Sequence, residues 1–452
     1  MKILLIDILD NENKIQTKYY SLGLGYLVSF LPKDIREKID IKIINNQSEK
    51  EIDFFKPDIV GLSCVSQNFN RAKEIAKFCK ERNIIVIIGK GHISSIPECL
   101  DKNMDIGIIG EGEQTFSEIV EMFIKKEFTQ ENLKKIKGII FHSENNLIQT
   151  QARPLISDLD SIPFPDRALL NIKKGDNFYM FTSRGCPYKC RFCFSSRFWG
   201  KVRFHSAKYV VDEIKYLIDH YKPLRITFCD DLFIADIKRL REIVELIKEQ
   251  KFYKKVKFTI SARANLINDN SVKLIKEMGA DIVCLGLESG NETVLKFLKD
   301  DLANMQDNIA AIKYLKKYNL QVSASFIIGS PSETREQILE TLDFIKKSKL
   351  DLFEINVLLP LPGTPIWEDA LQKGLVSVDM DWSKLNGDFL HNYKNYIILS
   401  EKLDRYELKY LYSLFLKERK KRRFKLLIKY IFTRPKEIIF FIKNKLKRKF
   451  VH

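Results

Sequence analysis

The sequence lacks any apolar run of the roughly 18 to 20 residues that a membrane-spanning helix requires. Its opening, Met-Lys-Ile-Leu-Leu-Ile-Asp, is too short and too soon acidic for a secretory signal peptide. Internal repeats and low-complexity segments are absent as well. We therefore expect a cytoplasmic protein, and a length of 452 residues favours two domains with an appendage.

Cysteine is scarce: the chain has eight, three of them close together at 186, 190 and 193 and five scattered. A disulfide framework is typical of short chains rich in cysteine, so this distribution argues against one. The close group of three favours a metal site instead.

The excess of basic over acidic residues lies mostly at one end of the chain. The formal net charge is +17, and residues 401–452 hold 18 Lys or Arg against 5 Asp or Glu, which leaves 58 against 54 for residues 1–400. The basic character therefore belongs to the tail and does not mark the whole protein as a nucleic-acid binder.

Short β-branched runs alternate with amphipathic stretches through the first 140 residues. This alternation predicts an α/β fold class, with an N-terminal doubly wound, Rossmann-like domain around a parallel sheet. The predicted strands are Lys2–Ile6, Ile39–Ile44, Asp58–Ser63, Ile84–Gly89, Asp105–Ile109 and Lys137–Phe141, and the predicted helices are Gly23–Leu31, Asn70–Arg82 and Glu113–Lys125. Ligands usually bind at the carboxyl ends of such strands, so the loops Ser63–Gln67, Gly89–His92 and Gly110–Glu113 are candidates.

Prolines at 154, 163 and 165 indicate a semi-extended connector, after which the alternation resumes. Six further runs predict a partial (β/α)6 TIM-type barrel with its site at the carboxyl ends of the strands. These runs are Asn177–Thr182, Leu224–Cys229, Lys257–Ser261, Asp281–Leu287, Gln321–Ile328 and Leu352–Leu359. The predicted domains are 1–150, a linker over 151–172, the barrel over 173–370, and a helical C-terminal region over 371–452 with a basic amphipathic tail.

The three grouped cysteines directly follow the first barrel strand, with three and then two residues between them. Thiolates hold cubane iron–sulfur clusters, and Cys186, Cys190 and Cys193 would leave one iron without a protein ligand. Zinc is the alternative, because Cys190 and Cys193 form a two-residue pair and His205 lies downstream. Structural zinc sites usually combine two such pairs, and the chain has no second pair.

With Phe192 before its last cysteine, this spacing resembles the signature of the radical S-adenosylmethionine (SAM) superfamily. Further motifs follow the later strands and are similar to those of the same family. They are Phe-Cys-Asp230-Asp231-Leu-Phe, Ser261-Ala-Arg263, Gly286-Leu-Glu288-Ser-Gly290-Asn, Ile-Gly329-Ser-Pro331-Ser-Glu333-Thr and Pro360-Leu-Pro362-Gly363-Thr364-Pro365. Together they resemble the subgroup whose members carry an N-terminal cobalamin-binding domain.

The resemblance implies a [4Fe–4S] cluster that cleaves SAM reductively and yields a 5′-deoxyadenosyl radical. It also implies a set of SAM-binding residues: Phe192, Asp230, Asp231, Arg263, Glu288, Gly329 and Pro331. Each has an alternative explanation, since adjacent acids also cap helices, a buried Glu288 would pair with Arg263, and a turn alone favours glycine and proline. Adjacent side chains on an extended segment face opposite ways, so we expect one of Asp230 and Asp231 to point into the site.

The N-terminal region resembles the cobalamin-binding domain of that subgroup. The residues implied to bind cobalamin are Ser63, Gly89, Gly91, His92, Gly110, Glu111 and Gly112. The Asp-x-His-x-x-Gly motif is missing, Lys90 stands where a second glycine is common, and His92 is not assigned as a cobalt ligand. Methylthiotransferases hold a second cluster in this region, but Cys79 falls on the apolar face of a predicted helix, so we expect none from Cys64, Cys79 and Cys99.

In the tail, residues 417–452 interleave Lys and Arg with apolar residues and predict two amphipathic helices broken near Pro435. An anionic membrane surface and packing on the barrel are the two interpretations, and nucleic acid is the weaker third. The leading functional hypothesis is cobalamin-dependent methylation of an unactivated carbon. The alternatives are radical cyclisation, oxidation or rearrangement, and a zinc-stabilised RNA- or membrane-binding protein without catalysis. Expected partners are a lipid or lipid-linked substrate and an electron donor such as flavodoxin or ferredoxin.

Overall fold

A computed structural model describes residues 1–10, 20–45, 47–144, 146–170, 172, 175 and 177–433. Its strands form a seven-stranded sheet, a two-stranded ribbon and a six-stranded sheet. The strands are β1 (Lys2–Asp7), β2 (Asp40–Ile44), β3 (Ile59–Ser63), β4 (Ile85–Gly89), β5 (Ile106–Ile108), β6 (Ile139–Ser143), β7 (Asn146–Gln149), β8 (Asn177–Met180), β9 (Ser183–Arg184), β10 (Arg203–Phe204), β11 (Arg225–Phe228), β12 (Lys257–Ala262), β13 (Ala280–Glu288), β14 (Gln321–Ile328) and β15 (Leu352–Val357).

The helices lie mostly between successive strands. They are α1 (Leu22–Phe30), α2 (Lys33–Arg36), α3 (Ser48–Phe55), α4 (Phe69–Lys80), α5 (Gly91–Ser95), α6 (Glu113–Ile124), α7 (Gln130–Leu133), α8 (Ser195–Trp199), α9 (Ala207–Tyr221), α10 (Ile237–Glu249), α11 (Asp269–Glu277), α12 (Glu292–Leu298), α13 (Met305–Lys317), α14 (Arg335–Lys347), α15 (Pro365–Gln372) and α16 (Arg405–Thr433). None of the helices in the described part of the chain is long and apolar enough to cross a membrane.

The first sheet has the order β2-β1-β3-β4-β5-β6-β7, and its first five strands are parallel. The predicted strand Lys137–Phe141 is β6, which pairs antiparallel with β5, and the antiparallel β7 had no counterpart in the prediction. The direction reverses because α6, α7 and the residues after them bring the chain back to the end where β5 finishes, so that Ile139 pairs with Ile108. The expected α/β domain is confirmed, with an antiparallel pair at one edge.

The second sheet has the order β15-β14-β13-β12-β11-β8, with every neighbouring pair parallel. One face is closed by helices over large apolar side chains such as Phe258, Ile260 and Phe326, which are fully buried. The other face carries small or polar residues, among them Ser261, Cys284 and Ser323, around one cavity. Because residues of four adjacent strands line that cavity, the sheet curves into the partial barrel that the sequence predicted.

The two halves share a continuous apolar core. Ile88 and Ile93 of the first half belong to the same cluster as Leu298, Ile327 and Leu358 of the second. Trp367 of α15 and Trp382 of the C-terminal region stack on each other and belong to the same apolar cluster at this junction. The carboxyl ends of the first sheet therefore face the carboxyl ends of the barrel strands.

Helix α16 contains the first part of the basic tail, for which packing on the barrel and binding to a membrane surface were the two interpretations. Its first turns bury Leu408, Leu411 and Phe415 against the barrel, and Arg419 pairs with Glu354 of β15 farther along. The part of the tail up to residue 433 is therefore one continuous helix that packs on the barrel. The predicted break near Pro435 lies outside the described residues.

Candidate active site

A cavity of about 400 Å³ opens at the carboxyl ends of the barrel strands. All three grouped cysteines line it, together with Phe192, Asp231, Arg263 and Glu288. These residues come from four loops or strand ends that are far apart in the sequence. A parallel barrel brings them together because every strand ends at the same rim.

The cysteine loop is held in shape mainly by backbone contacts. Gly185 has φ of +94°, and a Cβ there would lie 2.8 Å from the carbonyl oxygen of Lys201, so the turn into the loop requires glycine. Arg197 donates hydrogen bonds to the carbonyls of Cys190 (3.1 Å) and Cys193 (2.8 Å). The loop is thus rigid enough to present three sulfurs to one cavity.

The cysteines fit a cluster better than a single ion. Burial raises the pKa of all three thiols, so an electropositive metal is needed to hold them as thiolates. Within the described ranges, no group of three or more His, Cys, Asp and Glu side chains is placed to hold one metal ion. A cubane instead binds each thiolate through a different iron and needs them spread around it.

His205, the remaining candidate for zinc, is engaged elsewhere. Its ring stacks on Tyr209 with 4.0 Å between centroids, and its Nδ1 lies 3.3 Å from the carboxylate of Asp160. It does not line the cavity that holds the cysteines. The arrangement therefore does not favour the zinc-stabilised alternative.

The two adjacent acids after β11 face different ways. Asp230 is buried, and its carboxylate accepts hydrogen bonds from the backbone N–H groups of Thr182 (2.5 Å) and Ser183 (3.2 Å). It ties β11 to the end of β8 and does not line the cavity. Asp231 does line it, and its carboxylate accepts hydrogen bonds from the Ser195 hydroxyl and the Gly185 backbone.

Arg263 lies beside the cysteine loop. Its guanidinium stacks on the Tyr188 ring at 3.7 Å, donates to Asp300 at 2.6 Å, and has Nη1 3.6 Å from Cys190 Sγ. The side chain is buried, and these contacts fix its plane. A fixed guanidinium is suited to a carboxylate ligand or to hydrogen bonding with a cluster sulfur.

Glu288 sits at the last residue of β13 with φ of +62°, where the register with β14 shifts. A Cβ on Gly286 would lie 2.4 Å from Glu288 Oε1, so a larger residue there would displace this carboxylate from its present position. Burial raises the pKa of Glu288, and the charge of Lys299 opposes that rise. Its hydrogen bond to Ser325 is long at 3.5 Å, which leaves the carboxylate able to accept from a ligand.

Lys299 is a cavity residue that the sequence gave no reason to select. It is buried, its Nζ donates to the Gly286 carbonyl at 2.5 Å, and burial lowers its pKa while Glu288 opposes that change. In the sequence it is one of two lysines near the end of α12, the other being Lys296. Only the fold shows that it lines the same cavity as Glu288 and that the charges of the two side chains influence each other.

Two other predicted residues lie away from the cavity. A Cβ on Gly329 would be 3.2 Å from Leu408 of α16, and the Pro331 carbonyl accepts from the Glu401 backbone at 2.8 Å. The loop is also held by Glu333, whose carboxylate accepts from the N–H groups of Gly329 (2.7 Å) and Ser330. In this structure the loop lies against the C-terminal region.

The candidate loops of the first sheet surround a small polar group. Asp7 accepts hydrogen bonds from the Ser63 hydroxyl (2.9 Å) and from Lys90 Nζ (3.1 Å), and Lys90 has φ of +82°. A Cβ on Gly110 would meet no atom within 4 Å, and one on Gly89 would meet only Ile108, at 3.9 Å. Open space therefore lies over two of the predicted glycines, as a flat ring would require. Gly91, by contrast, approaches the Phe194 ring, 3.8 Å from where its Cβ would be.

His92 points into the core. Its ring lies 3.9 Å from Phe69 and 4.5 Å from Trp382, and Nδ1 is 3.0 Å from the Ser66 hydroxyl. Burial lowers its pKa to about 3, so the ring is neutral at ordinary pH. This placement gives the histidine a packing role.

Glu111 also has a structural partner, on the other half of the molecule. Its carboxylate accepts from Arg203 (2.9 Å), from Arg184 and from the Ile156 backbone (2.8 Å). Gly112 caps α6 beneath it, close to Leu27. The Gly-Glu-Gly-Glu loop therefore joins the first sheet to the segment that leads into the cysteines.

Comparisons with known proteins agree with this architecture. Residues 180–345 match the model of the radical SAM superfamily, and residues 11–120 match that of the B12-binding domain. An uncharacterized methyltransferase of Pyrococcus horikoshii is 35% identical over 85% of this chain and 86% of its own length. The chain belongs to the radical SAM superfamily, in the group with a B12-binding domain.

Two other similar proteins extend the comparison within this group. The anaerobic magnesium-protoporphyrin IX monomethyl ester cyclase of Cereibacter sphaeroides is 27% identical over 73% of this chain and 55% of its own. The radical SAM methyltransferase TsrM of Kitasatospora setae, solved with cobalamin and a [4Fe–4S] cluster bound, has a TM-score of 0.67 at 15% identity, over 82% of this chain and 75% of that one. The second likeness is one of fold.

Membership of the radical SAM superfamily makes the chain an enzyme and brings the three expected cofactors: the [4Fe–4S] cluster, SAM and cobalamin. The cysteine loop fits the cluster, because three sulfurs and a buried arginine converge on one cavity. The open strand ends at Gly89 and Gly110 fit a ring laid against backbone.

Proposed function

We propose that this enzyme transfers a methyl group to an unactivated carbon, using a [4Fe–4S] cluster, SAM and cobalamin. The proposal depends above all on one observation: Cys186, Cys190 and Cys193 share a single cavity with Asp231, Arg263 and Glu288 at successive strand ends. The facing carboxyl ends of the two sheets support it, because a cofactor on the first sheet would then lie near the barrel cavity.

When bound, the cluster supplies the electron that breaks the sulfonium bond of SAM, and cobalamin carries the methyl group. Cys186, Cys190 and Cys193 would hold the cluster through their thiolates, with no fourth cysteine in the motif. The buried Arg263 donates toward Cys190 Sγ, which stabilises negative charge on that sulfur.

The polar side chains of the cavity orient SAM. Asp231 accepts from the ammonium group of its methionine part, and Arg263 pairs with the carboxylate. Glu288 accepts hydrogen bonds from the ribose hydroxyls, while Lys299, beside it, favours the charged carboxylate. Arg263, Glu288 and Lys299 are buried, which limits the water around this part of the cavity, whereas Asp231 is exposed at its rim.

Cyclisation without methyl transfer is the second candidate, and the similarity to the magnesium-protoporphyrin ester cyclase favours it. Both candidates need a one-electron donor, for which a flavodoxin or a ferredoxin is suited.

Incubation of the reconstituted enzyme with SAM, reductant and hydroxocobalamin tests the proposal, because SAM is then the only source of the methyl group. Methyl transfer should release 5′-deoxyadenosine and S-adenosylhomocysteine together. Deoxyadenosine without S-adenosylhomocysteine would favour the second candidate, and neither product, from protein with a full complement of iron, would contradict both.

A further inference from the structure

The second half of α16 exposes a continuous apolar stripe. Phe424, Leu427, Ile428 and Ile431 follow the spacing i, i+3, i+4, i+7 of one helix face. They are respectively 64%, 47%, 42% and 50% exposed, and the neighbouring Phe432 is 81% exposed. Large side chains on a soluble helix are usually turned toward the core, so this stripe lacks a partner in the described residues.

The opposite face of the same helix contacts the barrel through polar side chains. Arg422 donates to the Leu350 and Ile345 carbonyls, Arg423 pairs with Glu354 at 2.9 Å, and Tyr430 donates to Gln321. These contacts fix the rotation of α16 on the barrel. The helix therefore cannot turn its apolar stripe inward without losing them.

Cations border the stripe. Lys420, Lys421 and Lys425 are exposed beside it, and Lys429 is exposed farther around the helix, where it lies 3.9 Å from the Asp351 carboxylate. Three of them line a surface cleft of about 430 Å³ with Lys346 and Arg422. Asp351 and Glu418 also line the cleft, so its lining has five basic residues against two acidic ones. Residues 434–452 continue the chain with seven Lys or Arg and one Glu.

We propose that this face of α16 binds the surface of an anionic lipid bilayer. Apolar side chains in the interface, with lysines at the level of the headgroups, are the pattern by which a helix lies on a membrane without crossing it. Anionic lipid is favoured over a protein partner because the charge around the stripe has one predominant sign and continues along the chain.

The location of the stripe defines the orientation that the enzyme would have on the bilayer. Leu408, at the start of α16, lies near Gly329 at the catalytic end of the barrel, whereas Leu350 and Gln321 near the stripe mark the opposite end. At 1.5 Å per residue, the 16 residues from Leu408 to Phe424 span about 24 Å. Binding by the stripe leaves the carboxyl ends of the strands, where the cysteines lie, away from the bilayer, although Arg423 beside the stripe pairs with Glu354 on one wall of the cavity. The proposed binding requires neither cluster nor substrate.

Vesicle flotation with the full-length protein tests this. Phosphatidylcholine vesicles that contain phosphatidylglycerol should carry the protein upward, and pure phosphatidylcholine vesicles should not. Replacing Phe424, Leu427, Ile428 and Ile431 by serine should abolish flotation. Replacing Lys420, Lys421 and Lys425 by glutamate should weaken it by at least about fivefold for each lysine, since each basic residue contributes that factor near an anionic surface.

Matched controls replace equally exposed residues elsewhere. The control for the apolar change replaces four residues by serine: Phe54, Ile237, Ile309 and Leu375. The control for the charge change replaces three residues by glutamate: Lys273, Lys276 and Lys313. Both controls should float like the original protein. Equal flotation of the stripe variant and its control would overturn the proposal. It would also be overturned if the original protein formed a dimer, the stripe variant were a monomer, and neither protein bound vesicles. Binding to RNA that resists the serine changes, without flotation, would overturn it too.

Discussion

Arg184 of the barrel half donates a buried hydrogen bond to Glu111 of the first half, and Cys186 follows two residues later. Arg184 also pairs with Glu113, and Arg203 reinforces Glu111 from the β10 strand. Burial alone would raise the pKa of Glu111, but hydrogen bonds from Arg203 and Arg184 outweigh it and lower the pKa. The cysteine loop is thereby anchored to the domain that faces it.

Replacing Arg184 by methionine should lower the free energy of unfolding by about 3–5 kcal/mol, because the buried Glu113 would lose its partner, whereas Glu111 would keep Arg203. Adding Glu113→Gln should recover part of that loss, since the charge left unpaired by the loss of Arg184 is then removed. Denaturant unfolding of both variants measures this. Lys208→Met, which breaks an exposed pair with Asp212, should cost less than about 1 kcal/mol and is the control. Equal effects of Arg184→Met and Lys208→Met would contradict a structural role for the buried pair.

Cys190→Ala should remove most of the iron that anaerobic reconstitution incorporates, about four per chain for a cubane cluster. Cys284→Ala is the matched control, because Cys284 lines the same cavity but is outside the three-cysteine motif. It should keep its iron and the broad visible absorption of the cluster. Zinc in place of iron in anaerobically purified protein would refute the assignment.

Glu288→Gln should weaken SAM binding by roughly 10- to 100-fold, since a charge-assisted hydrogen bond contributes about 1.5–3 kcal/mol. The iron content should not change, because Glu288 is not one of the predicted cluster ligands. Isothermal titration of SAM into the reconstituted protein measures the affinity. Glu277→Gln on the exposed side of α11 is the control, and equal affinities in the two variants would exclude the ribose-binding role.

Sequence reasoning located the cavity residues well where a motif directly follows a strand. Cys186, Asp231, Arg263 and Glu288 all belong to such motifs, and the barrel fixes where strands end. It did not separate Asp230 from Asp231, because the pleat assigns opposite faces without saying which is inward. Lys299 was missed because its proximity to Glu288 arises from the way α12 packs back over β13.

The first domain shows a second limit of sequence reasoning. Strand runs there predicted the parallel core, but β6 and β7 reverse because of the path between α6 and β6, which has no periodic signal. Glu111 was selected as a ligand residue since it lies at a strand end. Its two arginine partners are about 70 and 90 positions away, and only the packed structure reveals the pairing.

Glu333 should make stability depend on pH. Burial raises its pKa from 4.5 to about 7, against the opposing hydrogen bonds from the Ser330 and Gly329 backbone. Between these values the folded protein binds more protons than the unfolded chain. The free energy of unfolding should therefore fall as pH rises from about 4.5 to 7, by roughly 3 kcal/mol at 1.36 kcal/mol per pKa unit. Glu333→Gln should remove this part of the profile and be more stable than the original protein above pH 7. Parallel unfolding profiles for the two proteins would contradict the raised pKa.

His92→Phe should leave the cobalt environment of bound cobalamin unchanged. The imidazole lies between Phe69 and Trp382 in the core, so it is not placed to coordinate the cobalt of a cobalamin bound over the strand ends. Electron paramagnetic resonance of the Co(II) form should show the same nitrogen splitting in the variant and the original protein. Because burial lowers the histidine pKa from 6.5 to about 3, the original protein should lose stability as pH falls through that range, and the phenylalanine variant should lose less. A nitrogen splitting that disappears in His92→Phe would instead show that the histidine swings out of the core to bind cobalt.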